Sequence, residues 1–397
     1  MDKKQWRRET ELAYRGHHIP GKMDEPEADA LYLTSAFNVR DLDEMDFVYD
    51  GGGFAYNRTN NPNRTALADA MTYLESGEDS IICSCGMAAI TTTLMALTAS
   101  GDHILSDKTL YGETIDFMDD VFEKYGVGVT YVDFTDHDQV RQAIRPNTKI
   151  LYTETICNPM MLVMDIRALA DIAHANGAKL VVDNTFTTSV MIRPIELGAD
   201  IVVNSLTKFY NGHSDCLLGC ITSTKEFIQK AYDLQVLLGT GSDAFNSWLV
   251  LRSLRTLDVR VKPQIDNAAK LAAALEKNPN VRCVMHPSLE SHPQHNLAKQ
   301  QFDYGYGAML SIFMADDDRE KMNAFMRALK IVRYAMTLGG FRTTISHPVT
   351  SSHSGMTEEE YKNLGISFGM LRVSVGMENA DDLIEDFEQA LSVYGKG

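Results

Sequence analysis

Lys208 stands in the run Ser205-Leu206-Thr207-Lys208, about two dozen residues after Val181-Val182-Asp183-Asn184-Thr185. Together these segments offer an amine able to form an imine, hydroxyls able to hold a phosphate, and a carboxylate at the end of an apolar run. Pyridoxal 5′-phosphate asks a protein for those three partners: an amine for its aldehyde, donors for its phosphate, and an anion that keeps its ring nitrogen protonated. Once released from the aldehyde, the lysine can move protons between substrate carbons. Most lysines are solvated surface charges. Lys208 is set apart by the expected strand end before it, the hydroxyls beside it and Asn211-Gly212-His213-Ser214-Asp215 after it.

Other segments supply matching chemistry. Cys83-Ser84-Cys85-Gly86-Met87 precedes a helical pattern. The free N–H groups of a helix start bind phosphate, and glycine permits close approach. Tyr56 and Arg58, near the glycine run Gly51-Gly52-Gly53, are further phosphate candidates. Tyr111, beside Gly112, is an aromatic able to stack on a flat ring; ordinary packing is the plainer reading. Glu154 and Asn158 lie just beyond an expected strand end. Arg372 falls inside the apolar run Leu371-Arg372-Val373-Ser374-Val375, where a charge needs a partner. A substrate α-carboxylate suits its bidentate fork, and a structural salt bridge is the alternative. His213, Cys216 and Cys220 match no standard zinc spacing, so no metal is expected.

The elements that must carry these residues alternate from about residue 64 to 210. Helices are expected over 64–75, 87–98 and 166–176, the last closed by Gly177. Strands are expected over 127–132, 150–153, 180–182 and 201–203, with a short apolar run at 103–106. Alternation of this kind predicts a parallel sheet covered on both faces, with ligands beyond the carboxyl ends of its strands. Asp183 and Ser205 both fall at such ends. Residues 1–59 read as an irregular arm that packs on the body or on a neighbouring subunit. Residues 60–255 read as the cofactor-binding α/β domain, and 256–397 as a smaller α+β domain with strands near 309–313 and 370–375.

Length and charge set outer bounds. A chain of 397 residues buries a large core. Its formal net charge of -17 disfavours nucleic acid and anionic membrane as partners. The first residues show no secretory apolar stretch, and no run is long enough to span a bilayer, so cytoplasmic residence with six reduced cysteines is expected.

These segments together resemble the cystathionine/methionine-metabolism family of pyridoxal-phosphate enzymes. The most specific stretch, Ser205 to Asp215, is similar to that family's Ser-x-Thr-Lys-[Tyr/Phe]-x-x-Gly-His pattern. The resemblance implies a fold-type I, aspartate aminotransferase-like architecture. It implies Lys208 as the imine-forming lysine, Asp183 on the ring nitrogen, and Gly86, Met87, Ser205 and Thr207 on the phosphate. It implies Tyr111 stacked on the ring and Arg372 on the substrate carboxylate, with Asn158 and Thr337 nearby. Tyr56 and Arg58 would reach the partner's phosphate, making a dimer the minimal unit and a homotetramer of two such dimers the assembly.

Departures fall in the distal pocket. Cys85 stands where many relatives have Ser, Glu113 where they have Cys or Gly, Arg342 where they have Glu, and Ala244 where Pro is common. Glu113 and Arg342 are therefore expected to bind a polar substrate end or to pair with each other. The expected reaction is γ-elimination on a γ-substituted L-amino acid, giving a 2-oxo acid and ammonia; γ-replacement is the alternative. A dehydrogenase would need a G-x-G-x-x-G after its first strand, which is missing.

Overall fold

The computed structural model describes residues 6–16, 27–351 and 357–395. Parts of the expected arm, residues 1–5 and 17–26, lie outside the described residues. Seven strands form the central sheet: β1 (Asp79–Cys83), β2 (His103–Asp107), β3 (Gly128–Val132), β4 (Thr148–Glu154), β5 (Lys179–Asp183), β6 (Ile201–Ser205) and β7 (Gly219–Ser223). Their order is β1-β7-β6-β5-β4-β2-β3. Pairings β3-β2-β4-β5-β6 are parallel, while β7 runs antiparallel to both β6 and β1.

Period-two alternation explains the two-sided burial. Leu105, Leu151, Val182 and Val202 enter one apolar cluster with Leu67 and Met71 from helix Pro62–Leu74. Ile104, Ile150, Val181 and Ile201 enter another, with Leu94 from helix Gly86–Leu97 and Ile228 from helix Lys225–Leu238. Each strand thus buries both faces, as parallel strands beneath covering helices do.

The sheet is mostly parallel, as expected; the reversed β7 and its neighbour β1 are strands that the sequence reading did not assign. No helix lies between Ser205 and Gly219, and without such a crossover the chain returns antiparallel. The arm also departs from irregularity, containing helices Arg8–Tyr14 and Leu42–Phe47. The first of these packs on the chain's own body: Leu12 enters the main core, Arg8 pairs with Asp258 at 3.0 Å, and Arg255 donates to the Leu12 and Arg15 carbonyls at 2.7 Å each.

A second sheet comprises β8 (Val281–Met285), β9 (Met309–Met314), β10 (Arg333–Tyr334), β11 (Thr344–Ser346) and β12 (Met370–Ser374), in the order β10-β11-β12-β9-β8. Helix Leu257–Leu275 joins the two layers. Its Val261 and Ile265 sit in the main core, while Ala268, Leu271, Ala272 and Leu275 sit in the core of the second sheet. Arg372, on β12, is thereby set against the strand ends of the first sheet.

Candidate active site

The carboxyl ends of β4, β5 and β6 open into a cavity of about 240 Å³. It gathers Gly86, Met87, Tyr111, Glu113, Asn158, Asp183, Ser205, Thr207, Lys208, Thr337 and Arg372. Of the residues expected at this chain's own site, Arg342 is not brought to it; Tyr56 and Arg58, expected at the partner's phosphate, stand apart from it. Tyr56 and Arg58 line a separate cleft of about 340 Å³, with Arg64, Ser242 and Asp243. Arg342 is exposed, its guanidinium 5.0 Å from the Phe341 ring centre, and it forms no ion pair with Glu113 among the described residues. The chain turns at Gly339, in the left-handed region at φ 74°, and Arg342 emerges outside the cavity lining.

At the cavity floor, Glu154 and Asp183 are direct neighbours in the β4–β5 register. Burial raises Asp183 to about 6, against a hydrogen bond from the Thr185 N–H at 2.9 Å. Among the described residues no cation pairs with it. A carboxylate in that position suits a protonated ring nitrogen. Glu154 is pushed well up by burial and by the Asp183 charge. It accepts from the backbone N–H groups of Tyr111 at 2.7 Å and Asn158 at 3.2 Å, so one side chain ties together the aromatic wall and the next polar residue.

The phosphate end is built by helix Gly86–Leu97. The first N–H groups of a helix have no intrahelical partner. Cys85 caps the Ala88 N–H through sulfur at 3.3 Å, and Gly86 and Met87 face the cavity. A Cβ on Gly86 would approach the Ser205 Cβ to 2.8 Å, so only glycine lets the helix start and the end of β6 converge. The Thr207 hydroxyl presently donates to the Leu218 carbonyl at 3.3 Å and accepts from the Leu218 N–H at 3.0 Å; the Ser205 N–H donates to Thr185 Oγ1 at 2.8 Å.

Lys208 is half-buried, and burial followed by the nearby Arg372 charge lowers its pKa, which favours a free amine. Its loop is clamped from outside the cavity. Arg260 donates to the Phe209, Tyr210 and Ser253 carbonyls at 3.0, 3.0 and 3.1 Å. A Cβ on Gly339 would come within 2.8 Å of the Lys208 carbonyl carbon. Neither contact was visible in sequence, since their partners lie far along the chain. Arg372 is buried, lowered to about 10 by burial, and donates to Asn158 Oδ1 at 2.8 Å. Among the described residues it has no ion-pair partner, which leaves it free for an incoming carboxylate. Burial, then the adjacent Glu113 carboxylate, raises the Tyr111 phenol far above its ordinary value, so it stays protonated.

An amine, a half-buried carboxylate without a cation beside it among the described residues, a helix start and a buried arginine around one cavity fit pyridoxal phosphate with an amino-acid substrate. The chain belongs to the Cys/Met metabolism family of pyridoxal-phosphate-dependent enzymes, whose profile matches residues 9–392. It is 39% identical to an L-methionine gamma-lyase of Treponema denticola over 370 residues, 92% of each chain. It is 38% identical over 393 residues to a cystathionine gamma-synthase/O-acetylhomoserine (thiol)-lyase of Bacillus subtilis, covering 98% of this chain and 97% of that one. The crystal structure of cystathionine gamma-lyase from Lactobacillus plantarum complexed with L-serine superposes with a TM-score of 0.90 at 30% identity, covering 97% of this chain and 98% of that one. The architecture is that of the fold-type I pyridoxal-phosphate enzymes, as the sequence motifs implied. Among the described residues no helix is long and apolar enough to cross a membrane.

Proposed function

We propose that this chain catalyses γ-elimination on a γ-substituted L-amino acid, which with one water gives a 2-oxo acid, ammonia and the protonated γ-group. The observation that carries the reading is the approach of Lys208, Asp183 and Arg372 around one cavity from three separate elements. When bound, pyridoxal phosphate holds the substrate nitrogen and takes up electrons from the substrate carbons. Arg372 and Asn158 grip the α-carboxylate, which fixes the α-hydrogen relative to Lys208. The lowered pKa of Lys208 suits it to take the Cα proton and then one from Cβ. Asp183 keeps the ring nitrogen protonated. Tyr111, held as a phenol, donates a proton to the departing γ-group. Gly86, Met87, Ser205 and Thr207 would hold the phosphate.

The γ-synthase relative favours a second reading, γ-replacement, in which a thiol takes the place of the departing group. A panel of γ-substituted L-amino acids with and without added thiol separates the two. Release of 2-oxo acid without thiol supports elimination; a thioether product with suppressed 2-oxo acid supports replacement; neither product defeats both.

The assembly completes the site in this proposal. Tyr56 and Arg58 point to a cleft of their own chain and reach the partner's phosphate across a dimer interface. Leu33, Leu42, Phe47 and Tyr49 on the arm are 76%, 82%, 60% and 80% exposed, an apolar surface suited to cover by a second copy. Two dimers form a homotetramer in the cytoplasm. Sedimentation of the purified protein and of Arg58→Ala reads this: tetramers with lost cofactor affinity support it, and an active monomer contradicts it.

A further inference from the structure

We propose that Glu113 sets the distal specificity of the cavity, selecting substrates whose γ-substituent ends in a cation over those that end in an anion. The inference rests on the reaction reading above and names the substrate class for the same site. Glu113 lies in the short helix Gly112–Phe117 and lines the cavity beside Tyr111. The other charged groups at the cavity are already engaged. Glu154 holds two backbone N–H groups, Asp183 faces the ring position, and Lys208 and Arg372 serve the reacting end. Glu113 accepts a hydrogen bond from the Tyr111 phenol and forms no ion pair with a cation among the described residues.

Lys208 and Arg372 feel its charge, but neither forms an ion pair with it among the described residues. Arg342, the cation that sequence position suggested, is exposed and off the cavity. Asp116, Asp119 and Asp120 follow along the chain as further acids; burial, then the Glu113 charge, raises Asp116, and none of them neutralises Glu113. Phe186, Leu217, Met336 and Leu338 give the cavity apolar wall without charge. The carboxylate acts on the cavity nonetheless: it raises the Tyr111 phenol and supports the charged forms of Lys208 and Arg372. Glu113 is itself exposed at the open mouth of the cavity, and a substrate ammonium that displaces water between it and the apolar walls meets an attraction above that in bulk water. An anionic acyl end meets repulsion there, and repulsion of the wrong ligand is an ordinary source of specificity.

Two ligand series read the inference. L-ornithine, L-norleucine and L-glutamate have no γ-leaving group, so calorimetry on the holoenzyme measures their equilibrium binding. L-ornithine is expected to bind about tenfold more tightly than L-norleucine, with L-glutamate weakest. Glu113→Gln is expected to erase the ornithine preference. In turnover, the kcat/KM ratio of S-(2-aminoethyl)-L-homocysteine to S-propyl-L-homocysteine should fall by the same factor in the variant, mainly through KM. Equal binding of the three ligands by the wild-type protein overturns the inference. So does a Gln variant that weakens all of them alike, the mark of a role confined to positioning Tyr111. Preserved binding order without turnover of any γ-substituted amino acid defeats the reaction reading and leaves the assignment of Glu113 standing.

Discussion

The floor of the cavity and its rim are built differently. Asp183, Glu154 and Ser205 stand at the ends of three adjacent parallel strands, and Lys208 follows one of them within a turn. Backbone hydrogen bonds, the Arg260 clamp and the close approaches at Gly86 and Gly339 fix that floor several times over. The rim carries Glu113 on a short helix, with Met336 and Leu217 exposed by 69% and 63%. A side chain exchanged at the floor disturbs packing in two layers; one exchanged at the rim disturbs little. The floor therefore suits a cofactor that stays the same, and the rim suits a substrate end that differs between relatives.

Substitutions that break the floor should have the largest effects. Lys208→Ala is expected to lower turnover by about 10³-fold or more while circular dichroism is unchanged, because the amine that moves the protons is gone. Arg372→Lys should lower kcat/KM by about 10²-fold, chiefly through KM, since an ammonium does not reproduce the planar fork. Gly339→Ala should cost about 3 kcal/mol in urea unfolding, combining left-handed strain with overpacking on the lysine loop. Gly177 sharpens the contrast: it is also left-handed, at φ 69°, but a Cβ there meets nothing within 4 Å. Its alanine variant should cost only about 1 kcal/mol.

Smaller effects test the surroundings of the floor. Burial raises Glu75 to about 7, against hydrogen bonds from Tyr210, Asn204 and Asn184. The folded chain then holds a proton that the unfolded chain has released, so stability falls as pH rises from the ordinary carboxylate range toward 7 and levels off above it. Glu75→Gln should remove about 1 to 3 kcal/mol of the difference in unfolding free energy between pH 5 and pH 8. The raised carboxyl of Asp183 adds dependence of the same sign at lower pH in the cofactor-free protein. At the weak end, Cys85→Ser replaces a sulfur cap by a better acceptor and should stabilise by about 0.5 kcal/mol in the same assay.

Much of the floor was legible in sequence because it depends on local order. The apolar run before Asp183 and the hydroxyls around Lys208 carry strand end, turn and chemistry together, and the structure brings them to one cavity. The parallel strands were legible from their buried runs between helices. β7 was not, since Gly219–Ser223 holds only Cys220 and Ile221 as larger apolar residues, and its direction depends on the missing crossover helix. The two arm helices were missed because they span 7 and 6 residues, too few for a periodic signal to emerge. Arg342 shows the limit most plainly. Its neighbours Thr337 and Leu338 line the cavity, but the turn at Gly339 and Gly340 carries it outside, and no one-dimensional pattern records which way a side chain leaves such a turn.

In the proposed reaction Lys208 carries pyridoxal phosphate through a covalent link. Borohydride reduction of the cofactor-saturated protein, followed by digestion and peptide mass spectrometry, tests it directly. The reduced cofactor's mass is expected on the peptide that contains Lys208. An unmodified Lys208, or the added mass on another lysine, would contradict it.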